Sequence, residues 1–170
     1  MLVSKCPSVA GGRGQRRRPR GFTLVELAVT IAVLAILSTL AAPSFRAFIG
    51  TMRAKSAAFD LISDLSVARS EAIKGNQTTS ITPVGGNWSN GWQVLDGNGA
   101  LLRERAAMGS SLSISVAPSG GLSFLPNGRT PNDTAPGNLA WSINSSIAGV
   151  TARCVVVSPS GSARSKMGGC

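Results

Sequence analysis

Residues 22–42, FTLVELAVTIAVLAILSTLAA, hold 16 apolar side chains out of 21 and a single charge, Glu26. Coiled as an α-helix at about 1.5 Å per residue, the run is about 31 Å long and matches a hydrocarbon core of roughly 30 Å. A membrane-spanning helix is the first expectation. Ahead of it, residues 1–21 carry Lys5, Arg13, Arg16, Arg17, Arg18 and Arg20 and no acid, six of the net ten positive charges. Basic residues before a span predict a cytoplasmic N-terminus, with the C-terminal part of the chain on the far side of the membrane.

A cleaved signal peptide, a plain anchor, and a leader cut on its cytoplasmic side are the three arrangements that fit. Ala41-Ala42 would suit a signal peptidase, but Leu40 takes a small-residue position and Pro43 follows the cut. Arg17-Arg18 is followed by Pro19 and Arg20, unlike a twin-arginine signal. Glu26 separates the other two. A carboxylate inside a span costs roughly 2.5–3.5 kcal/mol near the centre and asks for a partner or a function. A plain anchor gives it neither, whereas a cut between Gly21 and Phe22 creates an α-amino cation four residues away.

Gly21-Phe22-Thr23-Leu24-Val25-Glu26, behind a basic block and ahead of an apolar run, resembles the prepilin cleavage motif of type IV pilins and type II secretion pseudopilins. The resemblance implies cleavage after Gly21 by a membrane prepilin peptidase and N-methylation of Phe22. It also implies pairing of Glu26 with the N-terminal amine of a neighbouring subunit during assembly, and a bend of the long helix at Pro43. The partners implied are other major and minor pilins or pseudopilins, the inner-membrane assembly platform and the lipid bilayer. Removal of the leader would leave 11 basic and 7 acidic residues, so most of the excess charge would not reach the mature chain.

Beyond Pro43 the apolar residues become one-sided. Ala54, Ala58, Leu61, Leu65, Ala68 and Ala72 recur at helical spacing, with Arg53, Asp60, Asp64 and Glu71 mostly elsewhere on the wheel. An amphipathic continuation over 43–75 is expected, lying against a sheet, with a coiled-coil seam as the alternative. A C-terminal cap is expected at Gly75-Asn76, with Lys74 in the last turn.

From residue 76 the chain turns Gly- and Pro-rich, with 14 of the 20 Gly beyond Gly75. Candidate strands are 78–84, 92–96, 100–104, 112–116, 122–125, 139–143 and 151–157. Asp96-Gly97-Asn98-Gly99 reads as a hairpin turn and 126–138 as a surface loop. Trp88-Ser89-Asn90-Gly91-Trp92-Gln93-Val94, followed by Asp96-Gly97-Asn98-Gly99, and the stretch Gly120 to Gly128 resemble segments of the GspH/FimT family. The two tryptophans are expected to pack the sheet on the helix, with stacking on a ligand as the alternative. The fold class expected is α+β: a pilin-like long helix on an antiparallel β-sheet domain spanning 76–170.

Cys6 would leave with the leader, so Cys154 and Cys170 would remain in an oxidising compartment and suggest a disulfide, with free or intermolecular thiols as the alternative. The basic residues Arg129, Arg153, Arg164 and Lys166 are candidate DNA contacts. DNA-binding minor pilins of the FimT type use a G-R-x-R element, of which Gly161-Ser162-Ala163-Arg164 keeps only Gly161 and Arg164. A solvated strand-turn face is the alternative reading. With no His, imidazole-based nucleophilic and metal sites are excluded, and no catalytic residue, metal or cofactor is expected. The function expected is a minor subunit in the tip or initiation complex of a secretion pseudopilus or type IV pilus. DNA uptake and an exported soluble β domain are the alternatives.

Overall fold

The computed structural model describes residues 21–131 and 139–170, and the leader, Cys6 and Asp133 lie outside them. One helix, α1, runs Leu24–Gly75, and eight strands follow: β1 Thr79–Pro83, β2 Trp92–Leu95, β3 Leu101–Arg105, β4 Leu112–Ser115, β5 Leu122–Phe124, β6 Ala140–Ser145, β7 Arg153–Val157 and β8 Ala163–Met167. The chain divides into two units at Thr39/Leu40.

In the first unit Thr23 caps α1, its Oγ1 accepting from Glu26 N at 3.2 Å while Leu27 N donates to Thr23 O at 3.1 Å. Every side chain along 24–39 is exposed, as befits a helix long and apolar enough to cross a membrane.

The second unit is built on the other end of α1. Ala54, Ala58, Leu61, Leu65, Ala68 and Ala72 are all buried, as their spacing predicts. The helix stops at Gly75 because Asn76 takes φ 49°, Asn76 N donates to Ile73 O, and Gln77 N donates to Ala72 O at 3.2 Å. That pairing satisfies the last carbonyls with a left-handed residue, for which Asn is suited.

The strands form two antiparallel four-stranded sheets, ordered β3-β2-β1-β5 and β4-β6-β7-β8. One core joins them to α1 and contains Trp88, Trp92, Phe124, Trp141, Ile143, Val155 and Val157. Trp88 stands edge-on to Trp141 at 5.3 Å and tilted to Trp92 at 6.3 Å. Gly91 lets both neighbouring tryptophans turn inward. It has φ 99°, and a Cβ there would collide with Arg105 O.

Three sequence expectations change. The segment 163–167, ARSKM, is a strand, paired with β7 from Val157↔Ala163 to Arg153↔Met167. The stretch 126–138 is not a surface loop throughout: Gly128 and Thr130 are buried, and Thr130 N donates to Pro159 O. Asp64, placed off the apolar stripe by the wheel, is fully buried.

Candidate functional site

Along 24–39 the hydroxyls are satisfied by the helix itself. Thr30 donates to Leu27 O at 2.8 Å, Ser38 to Leu34 O at 2.7 Å and Thr39 to Ile36 O at 2.7 Å. These self-contained bonds cost little in a medium without water. The Glu26 carboxylate is different. Among the described residues it has neither an ion pair nor a hydrogen-bond donor, although its place in the first turn lets it complement the helix dipole. Phe22 is 82% exposed and Gly21 contacts no side chain that a Cβ there would meet. Pro43 sits inside α1, where it removes one N–H from the helical ladder.

Further along, α1 has a second apolar face. Phe45, Phe48, Met52 and Phe59 are exposed by 43–66% and fall within roughly 60° of one another on a wheel of about 100° per residue. The buried face, centred near Leu61, points about the opposite way. Covering such a stripe releases water from large apolar surface, so it is suited to a protein or lipid contact.

The buried Asp64 faces four donors. Trp92 Nε1 donates to Oδ2 at 2.9 Å, Arg103 Nη1 to Oδ1 at 2.8 Å, and Arg105 Nε to Oδ2 at 3.2 Å with Nη2 to Oδ1 at 3.4 Å. Asp60 lies 3.5 Å from Arg105 Nη1. The hydrogen bond to Asp64 raises the Arg105 pKa above its ordinary value, against the opposing effect of burial. Arg103 and Arg105 stand opposite Val94 and Trp92, so edge strand β3 turns two cations inward and ties itself to α1. The sequence signals were an acid one residue before Leu65 in the apolar stripe and arginines at alternate positions of a strand.

The structure divides the four candidate DNA contacts. Arg164 and Lys166 are exposed on one face of β8, whereas Arg153, opposite Met167, falls on the other face by strand alternation. Arg129 is exposed in the turn after β5, next to Thr130, whose N–H reaches the turn before β8. Cys154 on β7 and Cys170 form a disulfide with Cα atoms 5.1 Å apart, closing the β7–β8 hairpin and its tail.

A family model described as Type II transport protein GspH matches residues 57–161, more than half of the chain. The chain belongs to the GspH family. A model of the prokaryotic N-terminal methylation motif matches residues 16–42 and implies processing by a prepilin peptidase and assembly with other pilins. The type IV minor pilin FimU of Pseudomonas aeruginosa, in one crystal form, is 23% identical with a TM-score of 0.52, over 66% of this chain and 86% of that one. A second crystal form of FimU gives 24% identity and a TM-score of 0.47 over 66% and 90%. No curated protein matches. At that identity the first likeness shows the pilin fold, a long N-terminal helix packed on antiparallel sheets. A GspH-family domain behind an apolar helix marks a membrane-anchored, filament-assembled protein, and family and fold are those of structural pilins rather than enzymes.

Proposed function

We propose that the chain is a minor pilin or pseudopilin of the tip or initiation complex of a type II secretion pseudopilus or type IV pilus. On this reading residues 1–21 are a leader cut after Gly21, Phe22 becomes the methylated N-terminus, and residues 22–42 hold the subunit in the inner membrane. Residues 43–75 continue the helix past a bend at Pro43, and the β-rich domain of 76–170 faces the periplasm. The observation that carries it is the unpartnered carboxylate of Glu26 in a helix whose hydroxyls are otherwise satisfied. A partner amine from a neighbouring Phe22 neutralises that charge, so the cost of burying it in lipid becomes a drive toward assembly. The exposed Phe45–Phe59 stripe then packs against neighbouring helices.

The test pairs mass spectrometry with assembly. A mature chain beginning with methylated Phe22 is expected, and Glu26→Ala should be cleaved normally yet fail to enter filaments. Filament entry at the wild-type level in that variant would sink the proposed ion pair.

DNA binding is a second reading, favoured by the shared exposed face of Arg164 and Lys166 on β8. Two cations supply weak, sequence-independent phosphate contact, with no aromatic in that strand on which bases could stack.

A further inference from the structure

We propose that a pocket of about 340 Å³ between α1 and the turn entering β8 receives an acidic side chain of a different protein subunit, with Arg69 as its cation. The proposal rests on the assembly reading above, because the acid comes from a neighbour in the complex. Arg69, Ser70 and Ile73 line one wall, and Gly161, Ser162 and Ala163 line the other.

The chain is shaped to hold Arg69 in place. Gly128 and Gly161 have φ 73° and 82°, and a Cβ at Gly161 would collide with Gly128 O, so the two backbones lie against each other. A Cβ on either glycine would also come within 3.1 Å of Arg69 Nε, so the guanidinium stem rests on a platform only glycine permits. Arg69 Nε is closed off from water without an acceptor, and among the described residues Arg69 has no ion pair. Nε itself is covered by the glycine backbone, so an incoming acid would meet the guanidinium at its Nη groups, which are not among the buried unpartnered atoms, and a positive charge without a partner draws a negative group. Among the described residues the lining contains no acid. The hydroxyls of Ser70 and Ser162 can donate, while Ile73 and Ala163 suit the methylenes of a Glu or Asp.

Charge decides between the possible acids. In the described part of the second unit, Arg46, Arg53, Lys55, Arg69, Lys74, Arg103, Arg105, Arg129, Arg153, Arg164 and Lys166 outnumber Asp60, Asp64, Glu71, Asp96 and Glu104. Three of those acids are in ion pairs and Asp96 holds its own turn. Glu104 is the one exposed acid left over among the described residues, so a second copy has little acid to offer, and a subunit with an acidic face is the better complement. A phosphate backbone fits less well. A nucleic-acid track needs cations in series, and although Arg129 is exposed beside Gly128, the next one along β8, Arg164, alternates to the face away from Ala163.

The full mature chain in neutral detergent micelles, labelled with 15N-arginine, provides the test. Acetate should shift the Arg69 Nε–H signal saturably, and the peptide N-acetyl-triglutamate amide should bind more tightly than acetate. Arg69→Gln should abolish this Arg signal and weaken peptide binding at least about tenfold by calorimetry, with Ser162→Ala weakening it about threefold in case the first variant folds poorly. An Arg69 signal unmoved by both probes overturns the pocket. A dodecathymidylate that displaces the peptide at lower concentration than the peptide itself overturns the carboxylate assignment. Glu26→Ala should leave the titration intact, so a failure of the assembly reading appears in filaments and a failure of this one in the Arg69 signal.

Discussion

Glu26 and Asp64 lie on the same 52-residue helix and have opposite surroundings. Asp64 is fully buried and accepts from Trp92, Arg103 and Arg105, so its charge is spent within the domain. Glu26 stands in an apolar segment with no donor among the described residues. The same side-chain chemistry thus acts in two ways: an acid with all its partners in the chain fixes the fold, and one without them awaits a second molecule. Removing either should reveal which kind it is.

The largest effect is expected at Asp64. Asp64→Ala leaves two guanidinium groups and the Trp92 Nε1 proton facing a void, a loss of about 3 kcal/mol in urea unfolding after allowing for the partial exposure of both arginines. Because the Arg105 pKa is raised, its stabilising contribution is full below the unfolded-state value and is lost only as pH climbs through the folded one. Both lie far above neutrality, so the arginine side of the pair adds no pH dependence between about pH 6 and about pH 9. Glu26→Ala, by contrast, should change the domain's unfolding by less than about 0.5 kcal/mol. The contrast breaks if both acids destabilise alike.

Next comes the tail. Cys170→Ser opens a loop between residues 16 apart in sequence, which the chain-entropy model values at about 3 kcal/mol, less whatever order β8 keeps through its pairing with β7. Differential scanning calorimetry with and without reductant measures it, and an unchanged melt would make the bridge irrelevant to stability. Smaller still is the effect of Phe48→Ala with Phe59→Ala. Both side chains are more than half exposed, so unfolding should move by less than about 0.5 kcal/mol while filament incorporation falls. A large loss of stability would mean that the stripe is covered within the chain.

Much of this contrast was legible in the sequence. A period near 3.6 located the buried face of α1, β-prone runs located seven strands, and Asp96-Gly97-Asn98-Gly99 forms the expected turn, with Asp96 Oδ1 accepting from Asn98 N and Ala100 N. β8 was not legible because Ala163-Arg164-Ser165-Lys166-Met167 has no β-branched or aromatic residue. It is a strand because it pairs with the valines of β7, a context that overrides propensity. Asp64 was misplaced because its partners lie 28 to 41 residues away on strands whose pairing no local pattern reveals. The division into two sheets and the glycine platform under Arg69 depend on tertiary approach for the same reason.

The smallest expected effect concerns Arg164 and Lys166, which carry charge but make no ion pair among the described residues. Neutralising both as Gln should leave unfolding within about 0.5 kcal/mol of the parent. If DNA is a ligand, two phosphate contacts disappear, and the slope of log affinity against log salt should fall by roughly 1.8 in a duplex titration from low to moderate salt. Arg153→Gln makes the sharper control, since it removes one charge from the opposite face of the same hairpin. An equal drop in slope from Arg153→Gln would show diffuse attraction to a basic domain rather than a site on β8. An unchanged slope in the double variant would remove this strand from DNA binding, leaving its two cations as the solvated edge of a sheet.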